Sequence, residues 1–226
     1  MQITEIYRSI QGESSYAGIP CVFVRLTACN LRCNWCDSEY TFTGGQKMTL
    51  DAVLAEVKQV ADSGLVEITG GEPMLQEREV VPLMERLLRD GYTVLLETSG
   101  ERPLARVPKA VVKIVDVKCP HSGAADSFAM ENLAALTTND EIKFVLSDRE
   151  DYEFAREFTR AHVLDARVRS VIFSPAFRKE AMGDRDARHC LVDPQDLAEW
   201  ILADGLNVRL GLQLHKFIWE PAAKGV

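Results

Sequence analysis

The chain is short of positive charge, of histidine and of long apolar runs, and each shortage narrows what it can be. Lysine and arginine number 26 against 34 acidic residues, a formal charge of −8 with a pI near 5.1. A nucleic-acid surface carries a basic patch or stripe instead, so nucleic acid is set aside and small molecules or proteins are the expected partners. The start, Met1 to Arg8, lacks the basic beginning and apolar centre of a secretion signal, and no stretch reaches the roughly 18 apolar residues of a membrane span. A cytoplasmic protein that does not engage the membrane is expected. There are only four histidines; His121, His162 and His189 stand alone, and an isolated histidine is more often a structural or surface residue than a ligand. Of six cysteines, Cys21, Cys119 and Cys190 are scattered without the pattern of a disulfide scaffold and read as structural thiols.

What is present is an ordinary globular composition, 46% apolar and 27% charged over 226 residues, which suits one domain spanning 1–226 with a substantial core. Short runs rich in Val, Ile and Leu read as strands buried on both faces: Cys21 to Leu26, Leu65 to Thr69, Thr93 to Thr98, Val111 to Val117, Ile142 to Leu146, Val168 to Ser174 and Asn207 to Leu212. Amphipathic segments lie between them. Leu50, Val53, Leu54 and Val57 follow helical spacing behind Thr49 as N-cap, and Val80 to Leu88 repeat the pattern until Asp90-Gly91 stops it. Phe154 with Phe158, and Leu197 with Trp200 and Ile201, mark two later helices, and the acidic run Asp148 to Glu153 reads as a solvated helix start. Repeated strand and helix units imply an α/β fold with a parallel sheet. A full eight-unit barrel takes about 250 residues, so an open, partial β/α barrel of about six units is expected, with its chemistry at the carboxyl ends of the strands.

Directly after the first of these runs stand Cys29, Cys33 and Cys36, spaced C-x3-C-x2-C with Trp35 before the last. Three thiolates there can converge on one centre. A four-iron cluster held by only three cysteines keeps one iron open to another ligand; a zinc site, which needs four Cys/His ligands, and plain buried thiols are the other readings. The second run ends in Thr69-Gly70-Gly71-Glu72-Pro73, where paired glycines allow close backbone approach and a carboxylate beside them can receive an ammonium group. Taken alone, such a segment is more often a plain strand-to-helix turn.

The cysteine spacing and the Gly-Gly-Glu segment, in this order, resemble the radical S-adenosylmethionine (SAM) superfamily. Ile10-Gln11-Gly12-Glu13, Pro20, Arg25, Cys36-Asp37-Ser38 and the late Gln213, His215 and Lys216 narrow the resemblance to the 7-carboxy-7-deazaguanine synthases, over nearly the whole chain. That resemblance implies a homodimeric lyase on a partial barrel, using a 4Fe-4S cluster, SAM and Mg2+ to convert 6-carboxy-5,6,7,8-tetrahydropterin to 7-carboxy-7-deazaguanine with loss of ammonia. The product lies on the way to queuosine and related deazapurines. It also implies a low-potential electron donor such as flavodoxin.

Residue by residue, the resemblance makes Cys29, Cys33 and Cys36 the cluster ligands. Trp35, Cys36, Asp37, Gly71, Ser99 and Lys118, Cys119 and Pro120 become SAM contacts, and Ile10, Gln11, Gly12, Glu13, Arg25 and Thr69 substrate contacts. Glu13 would meet the donor edge of the pterin and Arg25 its carboxylate, since carboxylate and guanidinium each offer two parallel hydrogen bonds. Ser38 stands where the family has a threonine that gives its hydroxyl to Mg2+, and Ser14 where the family has glycine. No side chain is marked as the acid or base for ammonia loss. A glycyl-radical activating enzyme would share the cluster and Gly-Gly-Glu motifs, and a non-enzymatic iron–sulfur or zinc protein only the cysteines. Neither accounts for Gln11 or the late Gln-x-His-Lys.

Overall fold

The apolar runs become the strands of one sheet in the computed structural model of the chain, which describes residues 1–61, 64–179, 187–220 and 223–225. In chain order they are β1 (Gln2–Ile10), β2 (Pro20–Leu26), β3 (Gln46–Lys47), β4 (Leu65–Gly70), β5 (Thr93–Thr98), β6 (Val112–Asp116), β7 (Glu141–Leu146), β8 (Ser170–Pro175) and β9 (Arg209–Leu210). Helices α1 (Leu50–Val60), α2 (Glu77–Arg89), α3 (Arg149–Ala161), α4 (Leu164–Arg167), α5 (Pro194–Asp204) and α6 (His215–Ile218) accompany them. The strands lie in the order β3-β1-β2-β4-β5-β6-β7-β8-β9, parallel from β2 through β9. The result is an open, partial barrel.

The anticipated helix signals act as read. Thr49 caps α1 by accepting from the Ala52 amide at 3.2 Å, and Gly91 follows α2 with a φ of +90° that suits glycine. Three features differ. First, the amino-terminal segment was not read as structured, yet β1 pairs antiparallel with both β2 and β3. Its residues are mostly half-buried and polar, with only Ile3 and Ser9 buried, so it carries no apolar alternation. Second, among the described residues no helix lies between β5 and β6, and only single 3-10 turns lie between β6 and β7. There the Asn132 side chain bonds the Leu104 amide and the Gly100 and Arg102 carbonyls, each at 2.8 Å. This buried amide stitches the loops into a cover over the sheet, with Leu104 and Val107 filling the place of a helix. Third, the start of α3 is only partly solvated. Asp148 caps it by accepting from the Asp151 amide, but Asp151 is itself buried and accepts from Ser147 and from the His121 amide. His121 is thus not isolated, its Nδ1 lying 3.0 Å from Asp148.

Strand alternation sorts the side chains into two layers. Val22, Val24, Leu26, Val66, Ile68, Val94 and Leu96 face outward into the main core with the helices. Cys21, Phe23, Leu65, Leu95, Val112 and Ile114 form a smaller cluster with Tyr7 and Tyr16, the inner face at the amino ends of the strands. Further along the same strands the inward positions turn polar: Arg25, Glu67, Thr69, Glu97, Asp116 and Lys143. The barrel therefore has an apolar floor and a charged mouth.

Candidate active site

At that mouth is a cavity of about 220 Å3. It gathers Cys29, Cys33, Trp35, Cys36, Asp37 and Ser38 from the loop after β2, and Thr69, Gly71, Ser99 and Lys118 from the ends of β4, β5 and β6. Ile10, Gln11, Gly12 and Glu13 from the end of β1, with Arg25, complete the sequence-derived set. Two expected residues are not brought there. Lys118 points into the cavity, and by alternation its neighbour Cys119 turns outward, where it is 1% exposed and packs in the main core. Pro120 opens the 3-10 turn Pro120–Ser122 and does not line the cavity.

The cysteine loop is fixed from three sides. Ala28, just before Cys29, has a φ of +82°, unusual for a residue with a Cβ. It is held there because its amide donates to the Thr41 carbonyl and its own carbonyl accepts from the Glu72 amide, both at 2.8 Å. The Asn34 amide and side chain donate to the Ser122 and His121 carbonyls. Burial pushes the Cys29 and Cys33 thiols up, with Lys118 pulling the other way, so thiolates here call for a cationic centre. All three thiols line the cavity. Three cysteines fall one ligand short of a closed zinc site, whereas in a cluster each cysteine binds a different iron and one iron stays open.

Glu72 does not present its carboxylate to the cavity. It is fully buried, accepting from the Met74 and Ser99 amides and from the Thr98 and Ser99 hydroxyls at 2.7 to 2.9 Å. This carboxylate ties the end of β4 to the end of β5, and an incoming ammonium is left to other groups of the Gly-Gly-Glu turn.

The opposite wall is a charged network. Lys143 donates to Glu13 at 2.6 Å and to Glu97 at 2.5 Å, and Gln213 donates to the other Glu13 oxygen at 2.7 Å. Burial alone would raise Glu13, but Lys143 and His215 hold its carboxyl down at about 2. Asp37 lies 2.7 Å from Lys216; that ammonium and His215 hold it well below the usual carboxylate range against the effect of burial. Arg25 shares the inner face of β2 with Cys21 and Phe23 as expected. It has protein partners, however: Nε bonds Glu5 at 2.9 Å and one NH2 bonds the Tyr7 hydroxyl at 2.7 Å. Ser14 fits in place of the family glycine, its amide and the Glu13 amide both donating to Gln11 Oε1.

Sequence reasoning missed Glu67, Glu97, Asp116 and Lys143. Their signal was present: each is a charge inside a run otherwise read as buried on both faces, and such residues almost never go inside unpaired.

Comparison with known proteins agrees with this architecture. The Radical SAM superfamily profile matches residues 24–121, which run from β2 through the cysteine loop to the turn after β6. A 7-carboxy-7-deazaguanine synthase from Koribacter versatilis is 75% identical over 226 residues, all of both chains. One from Chlorobaculum tepidum is 40% identical, covering all of this chain and 97% of its own. The crystal structure of QueE from Escherichia coli superposes with a TM-score of 0.71 over 94% of this chain and 93% of that one, at 24% identity, and so shares the fold. Matched from end to end, the chain belongs to the 7-carboxy-7-deazaguanine synthase family of radical SAM enzymes.

Proposed function

We propose that the chain converts 6-carboxy-5,6,7,8-tetrahydropterin to 7-carboxy-7-deazaguanine with loss of ammonia, and that the two walls of its cavity divide the work. That division carries the reading: three thiols and the Gly71 turn stand on one side, and a wall of hydrogen-bonding groups suited to a flat, donor-rich heterocycle stands on the other. Cys29, Cys33 and Cys36 hold the 4Fe-4S cluster. Trp35, Asp37, Gly71, Ser99 and Lys118 adjoin SAM, and only the backbone of Cys119 and Pro120 remains for contact. When bound, cluster and SAM supply a reducing electron and a carbon-centred radical.

The chain's own residues bind, orient and exclude water. Gln11 and Glu13 border the pterin ring with Ile10, Gly12 and Thr69. Arg25, braced by Glu5 and Tyr7, turns its remaining edge to the carboxylate. Ser38 lines the cavity with its hydroxyl 3.8 Å from the Cys36 sulfur and, among the described residues, bonded to no oxygen, which suits it to Mg2+, an ion that retains waters and accepts few protein ligands. The protein works in the cytoplasm as a single-domain homodimer, reduced by a low-potential donor such as flavodoxin. No helix among the described residues is long and apolar enough to cross a membrane.

The test is anaerobic incubation of the reduced protein with SAM, Mg2+ and the carboxytetrahydropterin. Formation of 7-carboxy-7-deazaguanine and ammonia in equal amounts is expected; SAM cleavage with the pterin left intact would overturn the proposal.

A further inference from the structure

The substrate wall contains a pair of carboxyls that the binding roles above do not use. Glu67 on β4 and Glu97 on β5 both line the cavity. Glu67 pairs in register with Leu95, which puts Glu97 two positions further on the same face, and two carboxyls crowded together there favour one proton between them. The neighbours decide which. Gln11 cannot turn its amide, because the Glu13 and Ser14 amides both donate to its oxygen; its nitrogen therefore donates to Glu67 Oε2 at 3.0 Å. Lys143 lies between Glu13 and Glu97 and donates to both, so a cation stands against Glu97, whereas the donor to Glu67 is the neutral Gln11 amide. The proton is left on Glu67, which is 1% exposed. Burial, Glu97 and Glu13 all push its carboxyl well above the usual range, against the Gln11 bond. The other titratable groups facing it, Tyr7 and Cys21, are themselves raised by burial and stay neutral. Glu97 is the partner that opens to the cavity, its side chain 23% exposed.

We infer that Glu67 and Glu97 hold one shared proton as the acid–base pair for the ammonia-losing step. Resting on the proposed reaction, the step balances. In the ring-contracted amine the C–N bond breaks with its electrons going to nitrogen, and nitrogen takes the pair's proton. The neighbouring carbon gives its proton to the pair as the C=C bond forms. The pair ends with the one proton it began with, and no oxidant or reductant is consumed. Glu97 touches the substrate; Glu67 is a positioning residue that stores the proton behind it.

Two measurements test this. Infrared spectra of the resting protein should contain the carbonyl stretch of a protonated carboxyl that disappears in Glu67→Gln; its absence from wild type, or its persistence in Glu67→Gln, overturns the assignment. In turnover with pterin deuterated at C6, Glu97→Gln and Glu67→Gln should still move deuterium into SAM. Each should release ammonia at least about 100-fold more slowly than wild type, the usual scale for a lost acid or base, with the ring-contracted amine accumulating. Ammonia release within about threefold of wild type in both variants overturns the pair. Wild type that leaves the pterin unchanged would instead overturn the proposed reaction.

Discussion

Arg25 shows how much one side chain's role depends on what braces it. A guanidinium at the end of an inward strand face is costly unless paired, and here Glu5 and Tyr7 pair its Nε side while the Tyr40 hydroxyl donates to the same Glu5 oxygen at 2.7 Å. These partners fix the plane of the fork, so the edge toward the cavity is set in advance for a carboxylate. Arg25→Lys keeps the charge and loses the fork; Arg25→Ala loses both. Titration should show pterin binding weakened in both, in the alanine variant by the roughly 2 to 5 kcal/mol typical of a broken desolvated pair, with SAM binding near normal. Unaltered pterin affinity in Arg25→Ala would place the carboxylate elsewhere. Ser38→Ala, which removes a hydroxyl whose one partner among the described residues is the weakly bonding Cys36 sulfur, should raise the Mg2+ concentration needed for half-maximal turnover and leave iron content unchanged. An identical Mg2+ titration would remove Ser38 from the metal site.

At the scale of elements, the cysteine loop and the Gly-Gly-Glu turn behave as one unit. A Cβ on Gly71 would lie 2.2 Å from the Ala28 carbonyl oxygen and 2.8 Å from Cys29 Cβ, contacts that backbone cannot relieve cheaply. Gly71→Ala should therefore displace the loop and lose iron and sulfide, as Cys33→Ala should by removing a ligand. Gly91→Ala is the control: nothing lies within 4 Å of its added Cβ, so its positive φ costs about 1 kcal/mol of stability while the cluster stays. Equal iron retention in Gly71→Ala and Gly91→Ala would show that the two segments are not coupled. This coupling was only half legible in the sequence. The motifs named the residues, because cysteine spacing and paired glycines are local signals. What locks them together is the Glu72 amide donating to the Ala28 carbonyl, and what anchors each is Asn34 donating to the turn after β6 and the Glu72 carboxylate accepting from Thr98 and Ser99. Such long-range hydrogen bonding leaves no periodic trace. The same distinction separates the apolar strands β4 to β7, read to within about two residues, from β1, whose pairing rather than its composition makes it a strand.

For the molecule as a whole, the charged mouth makes stability depend on pH in two opposed directions. Glu13, held at about 2, stabilises the fold above the ordinary carboxyl pKa of about 4.3, and that contribution is lost as pH falls toward 2; Asp37, also depressed, acts in the same sense. Glu67 does the reverse. Its folded pKa lies well above the unfolded value, so its contribution is fully present below about 4.3 and is lost as pH rises toward the folded value. Across that window the folded state keeps a proton that the unfolded chain has released, and the slope is about 1.4 kcal/mol per pH unit. A protein that stores a proton at its reaction centre is thereby less stable near neutral pH, the usual conflict between an active site and the fold around it. Glu67→Gln isolates the effect. The amide has the shape of the protonated acid, its oxygen can still accept from Gln11 and its nitrogen can donate to Glu97, yet it has no proton to lose. Its melting temperature should match wild type near pH 4, rise above it at neutral pH, and widen the gap further as pH increases, while the decline below pH 4 governed by Glu13 and Asp37 is unchanged. Thermal melts of both proteins across this range check the prediction: curves that run parallel from pH 4 upward would mean that Glu67 ionises in the folded state as readily as in the unfolded chain.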